Sequence, residues 1–243
     1  MKLLANYPIS QILFIDIETV PLVSDYSQLS SVLQQHWDKK YNYISHDEAM
    51  NSSDGYFHHA GVYSEFSKII CISVGRFKIE NGNKIFSVKS FTNENEFELL
   101  QNFAELFNGR NEFRFIAGHN VKEFDVPFIC RRMMVNSIPI PLLFDLSGKK
   151  SFEVGHLIDT LQLWKFGDYK HYTSLSLLTE IMGIETPKSD MEGKDVASVF
   201  YHDNNLKRIA KYCKQDVIAV AQLFLKFKQE KLLIAEEIKM HEE

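Results

Sequence analysis

The sequence predicts an α/β domain. Strand-like runs rich in Ile, Val and Phe occupy residues 12–19, 67–77 and 84–91, and apolar residues recur at helical spacing in the segments after residue 94. With 45% hydrophobic and 24% charged residues, the chain has the composition of an ordinary globular protein. At 243 residues we expect one domain, residues 1–243, with an insertion at about 22–66.

The first half of the chain predicts a meander followed by a helix and a strand. ILFIDIET (12–19) is the first strand, and the turn-forming ENGN joins SKIICISVGRF (67–77) to KIFSVKSF (84–91). ENEFELLQNFAELF (94–107) predicts a helix because its apolar residues fall on one face. EFRFIAG (112–118) then predicts a short strand.

The second half of the chain predicts four helices: FDVPFICRRMMVNS (124–137), HLIDTLQLW (156–164), SLSLLTEIMG (174–183) and the long segment 205–233. The insertion at 22–66 is polar and rich in Ser, His, Tyr and Asp. Within it we predict one helix, SQLSSVLQQHWDKKY, and loop elsewhere. A long insertion on a compact domain is usually functional or mobile.

Charge and cysteine usage narrow the classes of function. The net charge of -5 argues against a protein that holds nucleic acid by a global positive field, although a nuclease needs only local cations. No apolar run is long enough to span a bilayer and no signal peptide is recognisable, so we expect a cytoplasmic protein without membrane contact. Cys71, Cys130 and Cys213 lack metal-site spacing and are predicted to be core residues.

Two acids interrupt the apolar first strand. Because side chains alternate along a strand, Asp16 and Glu18 point to the same face, beyond Ile12 and Phe14 and at the carboxyl end of the strand. Two carboxylates at the rim of a core repel each other and lose hydration, so they need a cation, a proton or hydrogen bonds. We interpret the pair as Mg²⁺ ligands, the alternative being one turn-capping acid and one solvated acid.

Two further acids stand at the start and in the middle of predicted helices. Asp125 follows GHNVKEF and is also explained as a helix-starting acid that favours the helix dipole. Asp216 lies on the same helical face as Ile209 and Val220, where an uncompensated acid is costly unless a metal or a distant partner balances it. Tyr212 precedes Asp216 by one turn on that face, within reach of whatever Asp216 binds.

The stretches IDIET, GHNVKEFDVPF and YCKQD resemble the three motifs of the DEDD 3′-5′ exonuclease superfamily, and in particular the predicted exonucleases related to the exonuclease domain of family B DNA polymerases. The motifs span residues 14–216. Tyr212 matches the tyrosine branch, whereas Lys211 stands where the other branch has histidine. The resemblance implies a ribonuclease H-like fold, a central mixed β-sheet with helices on both faces.

The resemblance also implies the chemistry. Two divalent cations, Mg²⁺ or Mn²⁺, would activate the attacking water and stabilise the leaving 3′ oxygen. The metal ligands would be Asp16, Glu18, Asp125 and Asp216, which with Tyr212 form the catalytic set. We expect Tyr212 to orient the water, because a phenol with an ordinary pKa near 10 is a poor base. The substrate contacts would be Thr19, Val20, Asn120 and Phe124.

Partners and alternatives remain open at this level. The expected partner is the 3′ end of a nucleic acid, with DNA favoured over RNA and with a polymerase or repair protein as a further partner. Candidate phosphate contacts are Lys165, Lys170, Lys188, Lys207 and Lys211. Asp159 would buttress a motif or touch a metal shell, or it would simply serve its own helix. The alternatives are a non-catalytic or partner-dependent module and a haloacid dehalogenase-like phosphatase, which DIETV approaches but which needs a lysine and further acids at strand ends.

Overall fold

Six β-strands form the centre of the structure, a computed structural model that describes residues 2–45, 50–80, 82–109, 112–150, 153–168, 172–185 and 190–241. The strands are β1 (Ile12–Pro21), β2 (Ser67–Glu80), β3 (Asn83–Thr92), β4 (Phe115–Gly118), β5 (Leu157–Asp159) and β6 (Ile238–Met240). They form one sheet in the order β5-β4-β1-β2-β3-β6. β1, which carries the paired acids, therefore lies near the middle of the sheet.

Eight α-helices surround this sheet in the described part of the chain. They are α1 (Ser31–Ile44), α2 (Ser52–His59), α3 (Glu96–Glu105), α4 (Asp125–Val135), α5 (Thr160–Lys165), α6 (Leu175–Ile181), α7 (Val196–Tyr201) and α8 (Leu206–Lys228). None of the described helices combines the length and the apolar character that a membrane crossing requires.

The sheet is mixed, as the sequence predicted. β1 runs antiparallel to β2, and β2 antiparallel to β3, which is the meander expected around the ENGN turn. β1, β4 and β5 run parallel to one another, and β3 pairs in parallel with β6. Parallel strands need crossovers, which α4 provides between β4 and β5.

Two hydrophobic cores cover the two faces of the sheet, because successive residues of β1 point to opposite sides. Phe14 packs with Phe86 and with Phe224 of α8 on one face. Leu13 and Ile15 pack on the other face, against α3 and α4. The alternation places Asp16 and Glu18 on the α8 side, and the prediction of helices on both faces is confirmed.

Three short elements differ from the sequence prediction. HLIDTLQLW was predicted to be one helix, but residues 157–159 form β5 and the helix begins only at Thr160. A three-residue strand that is buried throughout shows no alternation, so its apolar run could not be told from a helix. α7 and β6 were not predicted, because six and three residues are too short for a periodic signal.

The insertion at 22–66 is folded around its own aromatic cluster, which corrects the prediction of a single helix within loop. Trp37 packs edge-on against Tyr56 and against Phe66, and both residues of that first pair are fully buried. The indole Nε1 of Trp37 donates to the carbonyl oxygen of Ser52 at 2.7 Å, which ties α1 to the start of α2. The second helix was missed because SSDGYFHH is polar and lacks an apolar stripe.

Candidate active site

The two acids of β1 lie side by side, and a thiol from α8 joins them. Glu18 is buried, whereas Asp16 is half-buried and opens into a cleft. Ligand atoms of Asp16, Glu18 and Cys213 all lie within 4.8 Å of one another. The juxtaposition of the two carboxylates matches the sequence prediction, but the thiol was expected only as a core residue.

Asp125 reaches β1 from the start of α4. It is the first residue of α4, is 3% exposed, and its Oδ1 accepts a hydrogen bond from the backbone N–H of Ile17 at 3.1 Å. The chain leaving β4 can approach this closely because residue 118 is glycine. A Cβ on Gly118 would lie 2.7 Å from Cβ of Val121 and 3.1 Å from the carbonyl oxygen of Ile15.

Asp216 and Tyr212 come from the middle of α8, on the face that packs against β1. Both are half-buried and line the cleft. The Tyr212 phenol neighbours the Asp216 carboxylate, and after burial it is the charge of Asp216 that most raises the pKa of the phenol. Three separate elements, β1, α4 and α8, therefore bring the four predicted acids into one site.

Burial raises the pKa of every one of these carboxyls. The pKa of Asp216 rises to about 6 and that of Asp125 to about 7, in both cases mainly through desolvation. Desolvation, followed by repulsion from the neighbouring acids, raises the pKa values of Asp16 and Glu18 well above their ordinary range. None of the ion pairs in the described residues involves any of the four.

These four carboxylates have the chemistry of a divalent-cation site. They supply only hard oxygen donors, they repel one another, and within the described residues no protein cation pairs with them. Hard oxygen ligands suit Mg²⁺ and Mn²⁺ better than thiophilic metals. The residues present therefore fit the cations that the sequence predicted.

The cleft above the acids has a volume of about 1550 Å³ and is bordered by an amide and an aromatic ring that the sequence predicted as substrate contacts. Asn120 adopts a left-handed backbone with φ of 64°, and its buried Oδ1 has no hydrogen-bond partner among the described residues. Phe124 is half-buried, with its ring 5.3 Å from that of Phe128. An unpaired amide oxygen and a partly free ring are available to a ligand in this cleft.

The other two predicted substrate contacts do not line the cleft. Thr19 Oγ1 donates to the carbonyl oxygen of Gly61 at 2.7 Å, so its hydroxyl is engaged by the insertion. The side chain of Val20 is fully buried in a cluster with Ile70 and Val196, which corrects the expectation that it touches a terminal sugar. The physical reason is that β1 continues three residues beyond Glu18, to Pro21, and packs there against α7.

The candidate phosphate contacts receive little support from the described residues. None of Lys165, Lys207 and Lys211 belongs to the described lining of the cleft. Lys170 and Lys188 lie outside the described residues.

Two apolar residues at the cleft escaped the sequence analysis. Tyr172 is 63% exposed, and its ring lies 6.1 Å from that of His119. Partial desolvation of its hydroxyl and the charges of the nearby acids, Asp125 first among them, raise the pKa of Tyr172. Val62, 59% exposed, brings the end of the insertion to the same cleft. No periodic signal marks Tyr172 in its polar stretch, and Val62 lies in the part of the insertion that was predicted as loop.

Asp159 holds the loop that carries Asn120. Its Oδ1 accepts from the backbone N–H groups of Asn120 at 3.0 Å and Leu161 at 3.0 Å, and its Oδ2 accepts from that of Lys122 at 3.2 Å. Asp159 is thus the N-cap of α5 and at the same time a clamp on the loop between β4 and α4. Of the roles considered from sequence, buttressing a motif agrees with these contacts.

We expect Asp159→Asn to lower the free energy of unfolding by about 1.5–3 kcal/mol, the range for a lost hydrogen bond to a charged group. The side-chain NH2 group of the asparagine would take the place of Oδ2 and face the backbone N–H of Lys122, so that two donors would meet and this hydrogen bond would be lost. Asp25→Asn is the matched control, because Asp25 also caps a helical turn but is exposed. Urea unfolding of both variants measures the difference, and equal losses would contradict the clamp.

Comparisons with known proteins were made for both the sequence and the structure. A family model described as a predicted 3′-5′ exonuclease related to the exonuclease domain of PolB matches residues 62–241. The match contains Asp125, Tyr212 and Asp216 and begins after β1. No curated protein matches by sequence.

Among solved structures, the family B DNA polymerase from the hyperthermophilic archaeon Pyrobaculum calidifontis is similar, with a TM-score of 0.56 and 15% sequence identity. The likeness covers 91% of this chain and 24% of the polymerase chain. At that identity it concerns the fold alone, and it supports the ribonuclease H-like arrangement of the sheet and helices.

Proposed function

The chain belongs to the family of predicted 3′-5′ exonucleases related to the exonuclease domain of PolB, and from that membership we propose that it is a metal-dependent 3′-5′ exonuclease. It would release nucleoside monophosphates from the 3′ end of a nucleic acid, preferentially single-stranded DNA. The observation that carries the proposal is the convergence of four carboxylates, of which Asp16, Asp125 and Asp216 line one open cleft, with no counter-charge paired to any of them among the described residues.

Asp16, Glu18, Asp125 and Asp216 would hold two divalent cations, Mg²⁺ or Mn²⁺. Bound there, the cations would supply positive charge that lowers the pKa of a water molecule and stabilises a leaving oxygen. The protein's part is to keep the carboxylates converged against their repulsion. The hydrogen bond from the Ile17 N–H to Asp125 serves this purpose, as does the interaction of the Tyr212 hydroxyl with Asp216.

Tyr212 acts as a neutral hydroxyl in this proposal. Burial, and then the charge of Asp216, raise its pKa above the ordinary value for tyrosine, so the phenolate is not available as a base. The hydroxyl donates to Asp216 and retains lone pairs that accept a hydrogen bond from a water. Orienting that water toward the phosphate is the role that these properties support.

We expect Tyr212→Phe to reduce turnover by roughly 10–100-fold, the range for groups that orient a metal ligand or its water. Mn²⁺ affinity, measured by calorimetry, should change much less than turnover. Tyr26→Phe is the control, since the hydroxyl of Tyr26 bonds to Asp38 within the insertion. Equal losses of affinity and turnover would show instead that the hydroxyl serves mainly to hold Asp216.

The walls of the cleft favour an unpaired strand. Phe124 and Tyr172 offer aromatic faces on which a base of any sequence can stack, and Asn120 Oδ1 offers an acceptor. Val62 narrows the entrance from the insertion side. DNA is favoured over RNA by the family relationship alone, and a polymerase or repair protein is the partner that the same relationship suggests.

The alternatives are less well supported. A phosphatase of the haloacid dehalogenase type needs its further acids at strand ends, whereas Asp216 lies in the interior of α8. A non-catalytic binding module of the same fold would have no reason to bury four mutually repelling carboxylates beside Tyr212.

The proposal is tested with 5′-labelled single-stranded DNA and RNA of one sequence, incubated with the protein and Mg²⁺ or Mn²⁺. A ladder that shortens from the 3′ end and disappears with EDTA is the expected result. Shortening of the DNA strand alone, or of the RNA strand alone, would define the substrate. A wild-type protein that binds Mn²⁺ yet leaves single strands and duplexes intact would favour the partner-dependent module.

A further inference from the structure

The thiol of Cys213 lies directly behind Asp16, at the boundary between α8 and β1. Its Sγ donates toward Asp16 Oδ2 at 3.2 Å and toward the Asp16 carbonyl oxygen at 3.4 Å. Cys213 is fully buried, so no water competes for this contact. We propose that Cys213 is a positioning residue, which fixes the orientation of Asp16 for cation binding; the inference rests on the proposed function.

Cys71, which lies beside Cys213, is itself part of a buried line of polar groups. Cys71 Sγ lies 3.8 Å from Ser73 Oγ, Ser73 Oγ lies 2.8 Å from Ser90 Oγ, and Ser90 Oγ donates to the carbonyl oxygen of Ala210 at 3.4 Å. The Cys71 thiol therefore has a hydroxyl partner of its own, and its pairing does not depend on Cys213.

The strongest acceptor within reach of the Cys213 hydrogen is the Asp16 carboxylate. The Asp16 carbonyl oxygen and the Cys71 sulfur also lie near, but a neutral carbonyl and a thiol sulfur accept hydrogen bonds more weakly than a carboxylate. A neutral donor of this kind adds no positive charge that would compete with a cation. It also holds Oδ2 in one place, and the second oxygen of Asp16 remains for the cation.

The fully buried position explains why a thiol rather than a charged donor stands here. A lysine or arginine at residue 213 would neutralise Asp16 and occupy the space of a cation. A hydrogen-bonding partner behind a metal ligand typically changes metal affinity by about 10–100-fold, and a weak thiol donor belongs at the lower end of that range.

The test is Mn²⁺ binding by calorimetry, which requires no catalysis. We expect Cys213→Ala to weaken Mn²⁺ binding by about tenfold and Cys213→Ser, which restores a donor, to bind within about threefold of the wild type. Cys130→Ala is the matched control: the Cys130 thiol also donates to a carbonyl, that of Phe144 at 3.3 Å, but it lies in the opposite core. It should bind Mn²⁺ like the wild type.

The outcomes separate this inference from the proposed function. Wild-type affinity in Cys213→Ala, or an equal loss in the alanine and serine variants, would overturn the positioning role while the metal site stood. A folded wild-type protein that bound no Mn²⁺ would overturn the metal site, and the role of Cys213 would fall with it.

Discussion

Replacing Asp16 by asparagine is expected to reduce exonuclease turnover by about 10³-fold, as for the loss of a group that stabilises transition-state charge. The same change should raise the thermal unfolding midpoint of the metal-free protein. Asp16 has a raised pKa because it is desolvated and repelled by Asp216 and Asp125, so its ionised form opposes folding near neutral pH. Removing its charge relieves that repulsion.

The opposite signs of these two effects make the prediction specific. A residue that merely supports the fold would lose activity and stability together when it is replaced. Asp54→Asn, an exposed acid in the insertion, is the control and should change neither quantity. Thermal unfolding in EDTA, alongside the strand-shortening assay, measures both effects. A lower midpoint for Asp16→Asn would contradict the view that the acids are held together against their repulsion.

Arg132→Met is expected to lower the free energy of unfolding by about 3–5 kcal/mol, the cost of leaving a buried charge without its partner. The Arg132 guanidinium donates to both carboxylate oxygens of Glu96, with Nη2 2.6 Å from Oε2, and Nη1 donates to the carbonyl oxygen of Ser64 at 2.9 Å. Glu96 also accepts from the Ile69 N–H at 2.8 Å and from Asn136 at 3.0 Å. This network joins α3, α4, β2 and the end of the insertion.

Arg131→Met is the matched control for this prediction, because Arg131 is the neighbouring residue on α4 and is exposed. For a chain of this length, the loss in Arg132→Met corresponds to a thermal midpoint lowered by roughly 6–20 °C. A midpoint shift no larger than that of Arg131→Met would show that the buried ion pair contributes little beyond the hydrophobic contacts around it.

Three of the four acids were predictable from the sequence because each breaks a strong local pattern. Asp16 and Glu18 interrupt an apolar strand, and Asp216 interrupts the buried stripe of a long helix. Asp125 was predictable mainly through the resemblance, since an acid at the start of a helix is ordinary on its own. The central sheet and the long helices were predictable from the periodic spacing of their apolar residues, and the structure confirms them.

Other parts of the site depend on contacts between segments that are distant in the sequence. Cys213 was predicted as a core residue, and only the packing of α8 on β1 shows that its thiol meets Asp16. Asp159 was assigned to a helix, because the buried strand before it has no alternation. Val20 was expected at the cleft, but β1 extends further than the acidic motif and buries it. Local patterns carry no information about such contacts.

The most direct test of the central claim is a crystal structure of the protein soaked in Mn²⁺, with anomalous scattering recorded to locate the ions. We predict two Mn²⁺ peaks, both within coordination distance of the carboxylates of Asp16, Glu18, Asp125 and Asp216. Two results would contradict the claim that this cluster is a two-cation centre. In one, the four carboxylates are ordered but bind no ion, although Mn²⁺ fully occupies other sites in the crystal. In the other, all the ions lie away from these four residues.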